Sequence, residues 1–139
     1  NFNRIYGSRG FTQYQLVLPK INSRKGIRSI LTKVTQSGEI PSLVGLKLFG
    51  KQDSLISFPQ EGYTLAVEFP ITPSLFAFLD DLDKLVLEYG GKLYLTKDVR
   101  MSSEMFKKSY RNSEKFIRLK HQIDKSNKFQ SLQSKRIKI

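Results

Sequence analysis

Apolar and polar residues alternate in three segments of the chain, and a period of two predicts β-strands. The three segments are Phe11–Leu18, Ser42–Gly50 and Tyr63–Phe69. Successive side chains of a strand point to opposite faces of a sheet, so each segment has one apolar face. The apolar faces, which we expect helices to bury, carry Tyr14, Leu16, Leu18, Val44, Leu46, Leu48, Leu65, Val67 and Phe69.

Two other segments have the spacing of amphipathic helices. Apolar residues from Ile27 to Val34 fall at i, i+3, i+4 and i+7, with Ser23 as the predicted N-cap and Gly38 just beyond the C-terminal end. A wider apolar stripe from Leu75 to Tyr89 predicts a second helix, preceded by Thr72-Pro73 as a start signal. Further helices are predicted at Glu104–Tyr110 and Glu114–Ile123.

Shorter strands are predicted at Leu55–Phe58 and Leu93–Thr96. The resulting order of strands and helices is that of the split β-α-β unit. We therefore predict an α+β fold with a ferredoxin-like antiparallel sheet, two helices on one face, and a basic helical C-terminal extension. The chain is divided into residues 1–100, the sheet domain, and residues 101–139, the extension.

Positive charge is concentrated in that extension. The 139 residues include 24 Lys and Arg against 12 Asp and Glu, a net charge of +12. Residues 1–95 contribute +3 of this charge and residues 96–139 contribute +9. Such a tail can attract nucleic acid, anionic lipid, a phosphorylated ligand or an acidic protein surface. Composition alone is equally consistent with a solvated helical face.

Several classes of site are excluded by composition. The chain has no cysteine, which excludes disulfides and thiolate-bound metals, and its one histidine, His121, excludes a multi-histidine metal cage. No metal site is expected, and His121 is assigned no role. We expect no signal peptide, and the sequence has no apolar run of the ~18 residues that a membrane span needs. Because the chain opens with Asn1 rather than Met, we expect it to be a piece of a longer protein.

The face of the predicted sheet opposite the helices has an unusual mixture of side chains. It carries two amides, one cation, one carboxylate, an aromatic ring and small residues: Gln13, Gln15, Gly45, Lys47, Phe49, Thr64, Ala66 and Glu68. Amides donate and accept hydrogen bonds, and a glycine in a strand allows close approach, so the mixture suits a flat polar ligand. Three simpler interpretations remain open: solvated glutamines, a bulge at Gly45, and a cross-strand pair between Lys47 and Glu68.

A set of short motifs occurs in order along the chain. They are Gly10–Gln15, Leu46–Gly50, Leu55–Pro59 followed by Gly62, Glu68–Pro70, Gly90–Tyr94 and Lys97-Asp98. Together they resemble the C-terminal part of FAD-linked oxidoreductases of the vanillyl-alcohol-oxidase type, and within that family the branch that oxidises lipid-linked sugars. No single motif is specific to this family, but the occurrence of all of them in this order is fairly specific.

The resemblance implies roles for individual residues. Seven side chains would line the substrate pocket: Gln13, Gln15, Lys47, Phe49, Thr64, Ala66 and Glu68. Lys97 would be the catalytic cation, reaching toward the substrate and the flavin edge. The family has cysteine at the position of Ala66 and asparagine at that of Thr64, and these departures bear on the substrate rather than on the fold.

The resemblance also implies a larger enzyme. Residues 1–100 would be its substrate (cap) domain, and residues 101–139 would pack on that domain or on the FAD domain. FAD would be bound mainly by an N-terminal domain absent from this chain, so the chain alone would be inactive. The enzyme would oxidise an alcohol group of a sugar or lipid-linked sugar, such as a polyprenyl-phosphoryl pentose, by hydride transfer to flavin. The expected partners are a reductase subunit and an anionic membrane surface, with a cytoplasmic location and no nucleic acid.

Two alternatives from other functional classes stay open at this point. The chain could be a non-enzymatic α+β module that binds RNA or another polyanion through residues 97–139. It could also be a regulatory ferredoxin-like domain that binds a small ligand as a symmetric dimer.

Overall fold

A computed structural model describes residues 3–139 as an α+β fold built on one antiparallel sheet. The strands are β1 (Phe11–Pro19), β2 (Leu43–Phe49), β3 (Gly62–Pro70) and β4 (Lys92–Leu93). The helices are α1 (Asn3–Tyr6), α2 (Lys20–Gln36), α3 (Leu75–Glu88), α4 (Ser103–Ser109), α5 (Ser113–Ile123) and α6 (Leu132–Ile137). The strand order β2-β3-β1-β4 is that of a ferredoxin-like sheet, so the predicted fold class is confirmed.

Helices α2 and α3 cover one face of the sheet, as the apolar alternation predicts. Leu16 of β1, Leu65 of β3, Ile30 of α2 and Leu82 of α3 are all at most 1% exposed and belong to one core cluster. Burial of a side chain of this size contributes roughly 1.5–3 kcal/mol to the free energy of folding. The core is therefore the interface between the apolar sheet face and these two helices.

The prediction that the helices also bury the apolar face of β2 is wrong. Val44, Leu46 and Leu48 are 46%, 54% and 60% exposed. Their register with β3 places them on the helix side of the sheet. However, β2 is an edge strand, and a groove of about 650 Å³ lies open between it and α2. Alternation identifies the face of a strand but not whether a helix reaches over it.

The predicted elements differ from the structure at the start of α2, at Leu55–Phe58 and at Leu93–Thr96. At the last of these, the strand is only Lys92–Leu93 and a 3₁₀ turn follows at Leu95–Lys97. Helix α2 begins directly after Pro19, so Ser23 lies inside it, and its hydroxyl donates to the carbonyl of Leu18 (2.9 Å) instead of capping the helix. Gly38 follows the end of α2 with a φ of +79°, as predicted. The segment Leu55–Phe58 is a turn and not a strand.

A buried network joins the sheet to α3 and to the segment after β4. The Tyr14 hydroxyl donates to Asp83 Oδ1 at 2.8 Å, and the Arg100 guanidinium donates to both carboxylate oxygens of Asp83 at 2.7 and 3.0 Å. Arg100 also pairs with Asp80. Burial raises the pKa of Asp83 above its ordinary value, although the bonds from Arg100 oppose this shift. Asp80 and Asp83 of α3 therefore join this helix to the segment after β4 through Arg100.

Residues 101–139 are helical and contact the sheet domain. The predicted helices α4 and α5 are confirmed, whereas α6 arises in a segment for which no helix was predicted. Met101 and Phe106 are fully buried, and Ile137 of α6 is 1% exposed within the same core cluster. Within residues 3–139, no helix has the length and apolar character needed to cross a membrane.

Candidate functional site

The side chains predicted to face a ligand lie together on the sheet face opposite α2 and α3. β1 and β3 pair Gln13 with Glu68 and Gln15 with Ala66, while β2 and β3 pair Lys47 with Thr64. Directly paired residues of antiparallel strands lie on the same face. We call this surface the wall; it consists of Gln13, Gln15, Gly45, Lys47, Phe49, Thr64, Ala66 and Glu68.

The polar groups of the wall are held by hydrogen bonds to one another. Gln13 Nε2 donates to Glu68 Oε1 at 3.0 Å, and Gln15 Nε2 donates to Thr64 Oγ1 at 3.2 Å. The Thr64 hydroxyl donates in turn to the carbonyl of Leu16 at 2.7 Å and is buried. Thr64 therefore orients Gln15 from beneath the surface, and the amide oxygens of both glutamines stay available to a ligand.

One end of the wall is fixed by Tyr6, which the sequence analysis did not identify. The Tyr6 hydroxyl donates to Glu68 Oε2 at 2.5 Å, and its ring stacks on Phe11 with centroids 4.1 Å apart. The bond to Glu68 raises the pKa of the Tyr6 hydroxyl. Each oxygen of the Glu68 carboxylate thus has its own donor, one from Tyr6 and one from Gln13.

The other end of the wall is an aromatic cluster. The Phe58 ring stacks on Tyr94 with centroids 4.4 Å apart and meets Phe49 edge-on at 6.0 Å. Phe58 and Tyr94 occur in the motifs that carry the resemblance, but neither was singled out from the sequence. The cluster limits the wall along the direction of the strands.

Two cations are exposed: Lys47 on the wall itself, and Lys97 on the segment that contacts β1 beside the wall. Neither forms an ion pair with any residue in the described part of the chain. The open alternative of a pair between Lys47 and Glu68 is wrong, because Lys47 lies opposite Thr64 and Glu68 opposite Leu43. Both ammonium groups are therefore available to an anion or to developing negative charge.

Lys97 ends a short 3₁₀ turn, Leu95–Lys97, that runs beside β1. The turn is joined to the sheet where the Tyr94 amide donates to the carbonyl of Gln15 at 2.9 Å. From the other side, α6 holds it: Gln133 Nε2 donates to the carbonyl of Leu95 at 2.6 Å. Lys97 is therefore carried by a backbone segment with partners on both sides.

Asp98, the next residue, is a second anchor of this segment. Its carboxylate accepts the backbone amides of Arg100 at 3.0 Å and Met101 at 2.6 Å. The Arg136 guanidinium of α6 pairs with the same carboxylate at 2.5 Å. The basic C-terminal region thus supplies structural cations to the segment that carries Lys97.

The wall is a surface and not an enclosed cavity. A Cβ atom built on Gly45 would meet nothing within 4 Å, so the wall is open to close approach along its β2 edge. The wall supplies amide, carboxylate and ammonium groups but no thiol or imidazole, and His121 lies exposed on α5. It can bind and orient a flat or hydroxyl-rich ligand, but a second body must close over it to exclude water.

Comparison with known proteins shows a similarity along nearly the whole chain. In an alignment of 139 positions that covers 99% of the chain, it is 37% identical to the decaprenylphosphoryl-beta-D-ribose oxidase of Mycolicibacterium smegmatis. Over 113 residues, 80% of the chain, it is 31% identical to an uncharacterized protein in the mprA 5′ region of Streptomyces coelicolor. No family model matches the chain.

The chain spans 30% and 31% of the length of these two curated relatives. The resemblance drawn from the ordered motifs is confirmed by the first of them: this chain is similar over nearly its full length to a decaprenylphosphoryl-β-D-ribose oxidase and corresponds to about a third of such an enzyme.

Proposed function

We propose that this chain forms the substrate-binding wall of an FAD-dependent oxidoreductase that oxidises an alcohol group of a lipid-linked sugar. The observation that carries the proposal is the shared face of Gln13, Gln15, Lys47 and Glu68 in a chain that is 37% identical to a lipid-linked ribose oxidase. The flat, open wall supports a function in which a ring system lies against it and the rest of the enzyme closes the site.

The substrate class that suits the wall is a polyprenyl-phosphoryl pentose. The glutamine amides and the Glu68 carboxylate are the groups that hydrogen-bond sugar hydroxyls. Because Glu68 already accepts from Gln13 and Tyr6, it holds a fixed position against which a hydroxyl can be oriented. Ala66 leaves more room than the cysteine of the family, so the pocket would be wider at this strand.

FAD fits this surface, since the open space at Gly45 and the unpaired ammonium of Lys97 suit a planar group that becomes anionic on reduction. Bound there, FAD would supply the hydride acceptor, and its binding groups would lie mainly in the other part of the enzyme. Lys97 would hold positive charge at the reacting edge, where a fixed cation favours developing negative charge. A reductase subunit, which the resemblance implies, would be the partner of the oxidising enzyme in this proposal.

The test is Lys97→Met in the full-length protein, compared with Lys51→Met, which removes an exposed lysine that belongs neither to the wall nor to the 3₁₀ turn. We expect Lys97→Met to slow flavin reduction by substrate by about 10²-fold or more, because one fixed electrostatic group is lost. The absorbance of bound flavin should be unchanged, and Lys51→Met should reduce flavin at the wild-type rate.

A second variant, Gln15→Ala, should raise KM more than it lowers kcat, because Gln15 contributes binding and not charge. Wild-type rates of flavin reduction in Lys97→Met and Gln15→Ala would contradict the proposal. Salt-sensitive RNA binding by the wild type that survives both changes would instead favour the polyanion-binding alternative.

A further inference from the structure

A cleft of about 490 Å³ lies at the β4 edge of the sheet, and none of the described residues that line it belongs to the wall. One side is the segment between residues 52 and 60, and the other is the junction of α4 and α5. The ionisable side chains that line it are Asp53, Lys92, Lys108 and Arg111, together with the phenol of Tyr110. Its volume lies within the range of small-molecule binding sites, about 300–1,000 Å³.

Two of the three cations in the cleft have no carboxylate partner in the described residues. Lys92 is half-buried; its Nζ donates to the carbonyl of Ser57 at 2.7 Å and lies 5.4 Å from the centroid of the Tyr110 ring. Arg111 is exposed and forms no ion pair. Burial, and then the charge of Arg111, lower the pKa of Lys92. An anion between them would relieve this repulsion.

The remaining charged groups do not neutralise the cleft. Lys108 is paired with Glu104 at 2.6 Å, so its charge is already compensated. Asp53 is exposed and makes no ion pair with a described residue. The cleft therefore keeps a local excess of positive charge around Lys92 and Arg111.

Gln60, one of the residues that line the cleft, has a buried donor without a partner among the described residues. This donor is the side-chain nitrogen Nε2. A buried polar group without a partner costs about 1–3 kcal/mol, so most such groups have one. Because this atom is an N–H donor, the missing partner is an acceptor, which agrees with the sign of the surrounding charge.

We propose that this cleft binds a phosphate group carried by a small organic molecule. A phosphate has enough acceptor oxygens for an ammonium, a guanidinium and an amide donor at once, and arginine suits its geometry. The cleft is larger than a bare phosphate, so an ester has room. The cleft adjoins the wall but is lined by other residues: Ser57 contacts Lys92 in the cleft, while the ring of the next residue, Phe58, belongs to the aromatic cluster at the end of the wall.

The first experiment measures binding to the full-length protein by calorimetry at low salt, with inorganic phosphate, ribose 5-phosphate and geranyl phosphate as probes. We expect saturable binding of at least one organic phosphate, tighter than that of inorganic phosphate. A preference for ribose 5-phosphate identifies a soluble sugar phosphate as the ligand class, and a preference for geranyl phosphate identifies a lipid phosphate. Absence of saturable binding of all three overturns the proposal.

The second experiment separates a built site from general electrostatic attraction. Arg111→Gln and Lys92→Gln should each weaken binding of the preferred probe by about tenfold, which is ~1.4 kcal/mol. The control Lys125→Gln/Lys128→Gln removes two charges from the exposed tail and should leave the affinity within about twofold. Equal losses in the control and in the cleft variants would overturn the proposal. Arg111 is exposed, so its substitution does not threaten the fold.

The third experiment uses the unpartnered donor. Gln60→Met keeps the length of the side chain and removes the N–H group. It should weaken phosphate binding several-fold while leaving the thermal midpoint of the free protein unchanged or higher, because the free protein loses no hydrogen bond. A lower midpoint with unchanged binding would show that Gln60 serves the fold alone and would remove it from the site.

Discussion

The two faces of the sheet differ in which side chains they bury and in how their polar groups are paired. On the helix side, Leu16 and Leu65 are shielded from water by α2 and α3, and the polar network around Asp83 is buried and charged. On the wall side, polar groups stay partly exposed and bond to their neighbours, as Gln13 does with Glu68. Stability therefore resides on the first face, and the second is free to hold a ligand.

The largest expected effect on stability comes from a substitution on the helix side. Asp83→Asn removes a carboxylate that accepts hydrogen bonds from both Tyr14 and Arg100. It should lower the free energy of unfolding by about 3 kcal/mol. This is the lower end for a broken buried pair, because Asp80 still contacts Arg100. Denaturant unfolding of the protein measures the change. The matched control, Asp81→Asn, alters an exposed carboxylate of the same helix and should cost less than about 1 kcal/mol; an equal cost would contradict the contrast.

A pair of glycines compares the two faces directly. A Cβ on Gly26 of α2 would lie 2.4 Å from Leu18 Cδ1 and 2.9 Å from Tyr89 Cγ, whereas one on Gly45 would meet no atom within 4 Å. Gly26→Ala should therefore destabilise the protein by about 1–3 kcal/mol, although alanine is the better helix former.

Gly45→Ala is the partner experiment. It should change stability by less than about 0.5 kcal/mol and should raise KM for the sugar substrate, since the methyl group stands on the open wall. Thermal unfolding and steady-state kinetics of both variants provide the check. Destabilisation by Gly45→Ala with unchanged KM would show that the wall is a structural surface.

The smallest expected effect concerns the wall. Tyr6→Phe removes a donor to Glu68 and should lower the thermal midpoint slightly at neutral pH, by less than either change on the helix side. The folded-state pKa of Tyr6 is raised above its ordinary value of 10.0. Its contribution is therefore complete below pH 10 and is lost as the pH rises through the raised pKa.

The difference between wild type and Tyr6→Phe should accordingly shrink above that pKa, where the tyrosinate would face the Glu68 carboxylate. Tyr63→Phe is the control, because the Tyr63 hydroxyl bonds to no described residue. A difference that stays constant with pH would mean that the bond between Tyr6 and Glu68 does not form in solution.

The wall could be predicted from the sequence because its geometry is local. The period of two fixes which side chains of one strand share a face, and Gln13 and Gln15 need only their own strand to lie together. The register that adds Lys47 and Glu68 follows from the ferredoxin-like order of the elements. Their roles toward a ligand stay predictions.

Three features could not be predicted, because each depends on a distant part of the chain. The exposure of Leu46 depends on where α2 lies across the sheet, which no pattern within β2 encodes. Tyr6 and Glu68 are 62 positions apart, and a four-residue helix has no periodicity to reveal its face. Helix α6 is short and basic, so no apolar pattern around Ile137 indicates that this side chain is buried.

The contacts of α6 have a practical consequence for handling the protein. On either side of Lys97, Gln133 donates to the backbone carbonyl of Leu95 and Arg136 pairs with the carboxylate of Asp98. A protease cut, a fusion partner or a truncation that displaces residues 132–137 would break both of these contacts. Because Ile137 is buried in the same core cluster as the sheet, preparations that differ only in this segment would differ in stability as well as in the placement of Lys97.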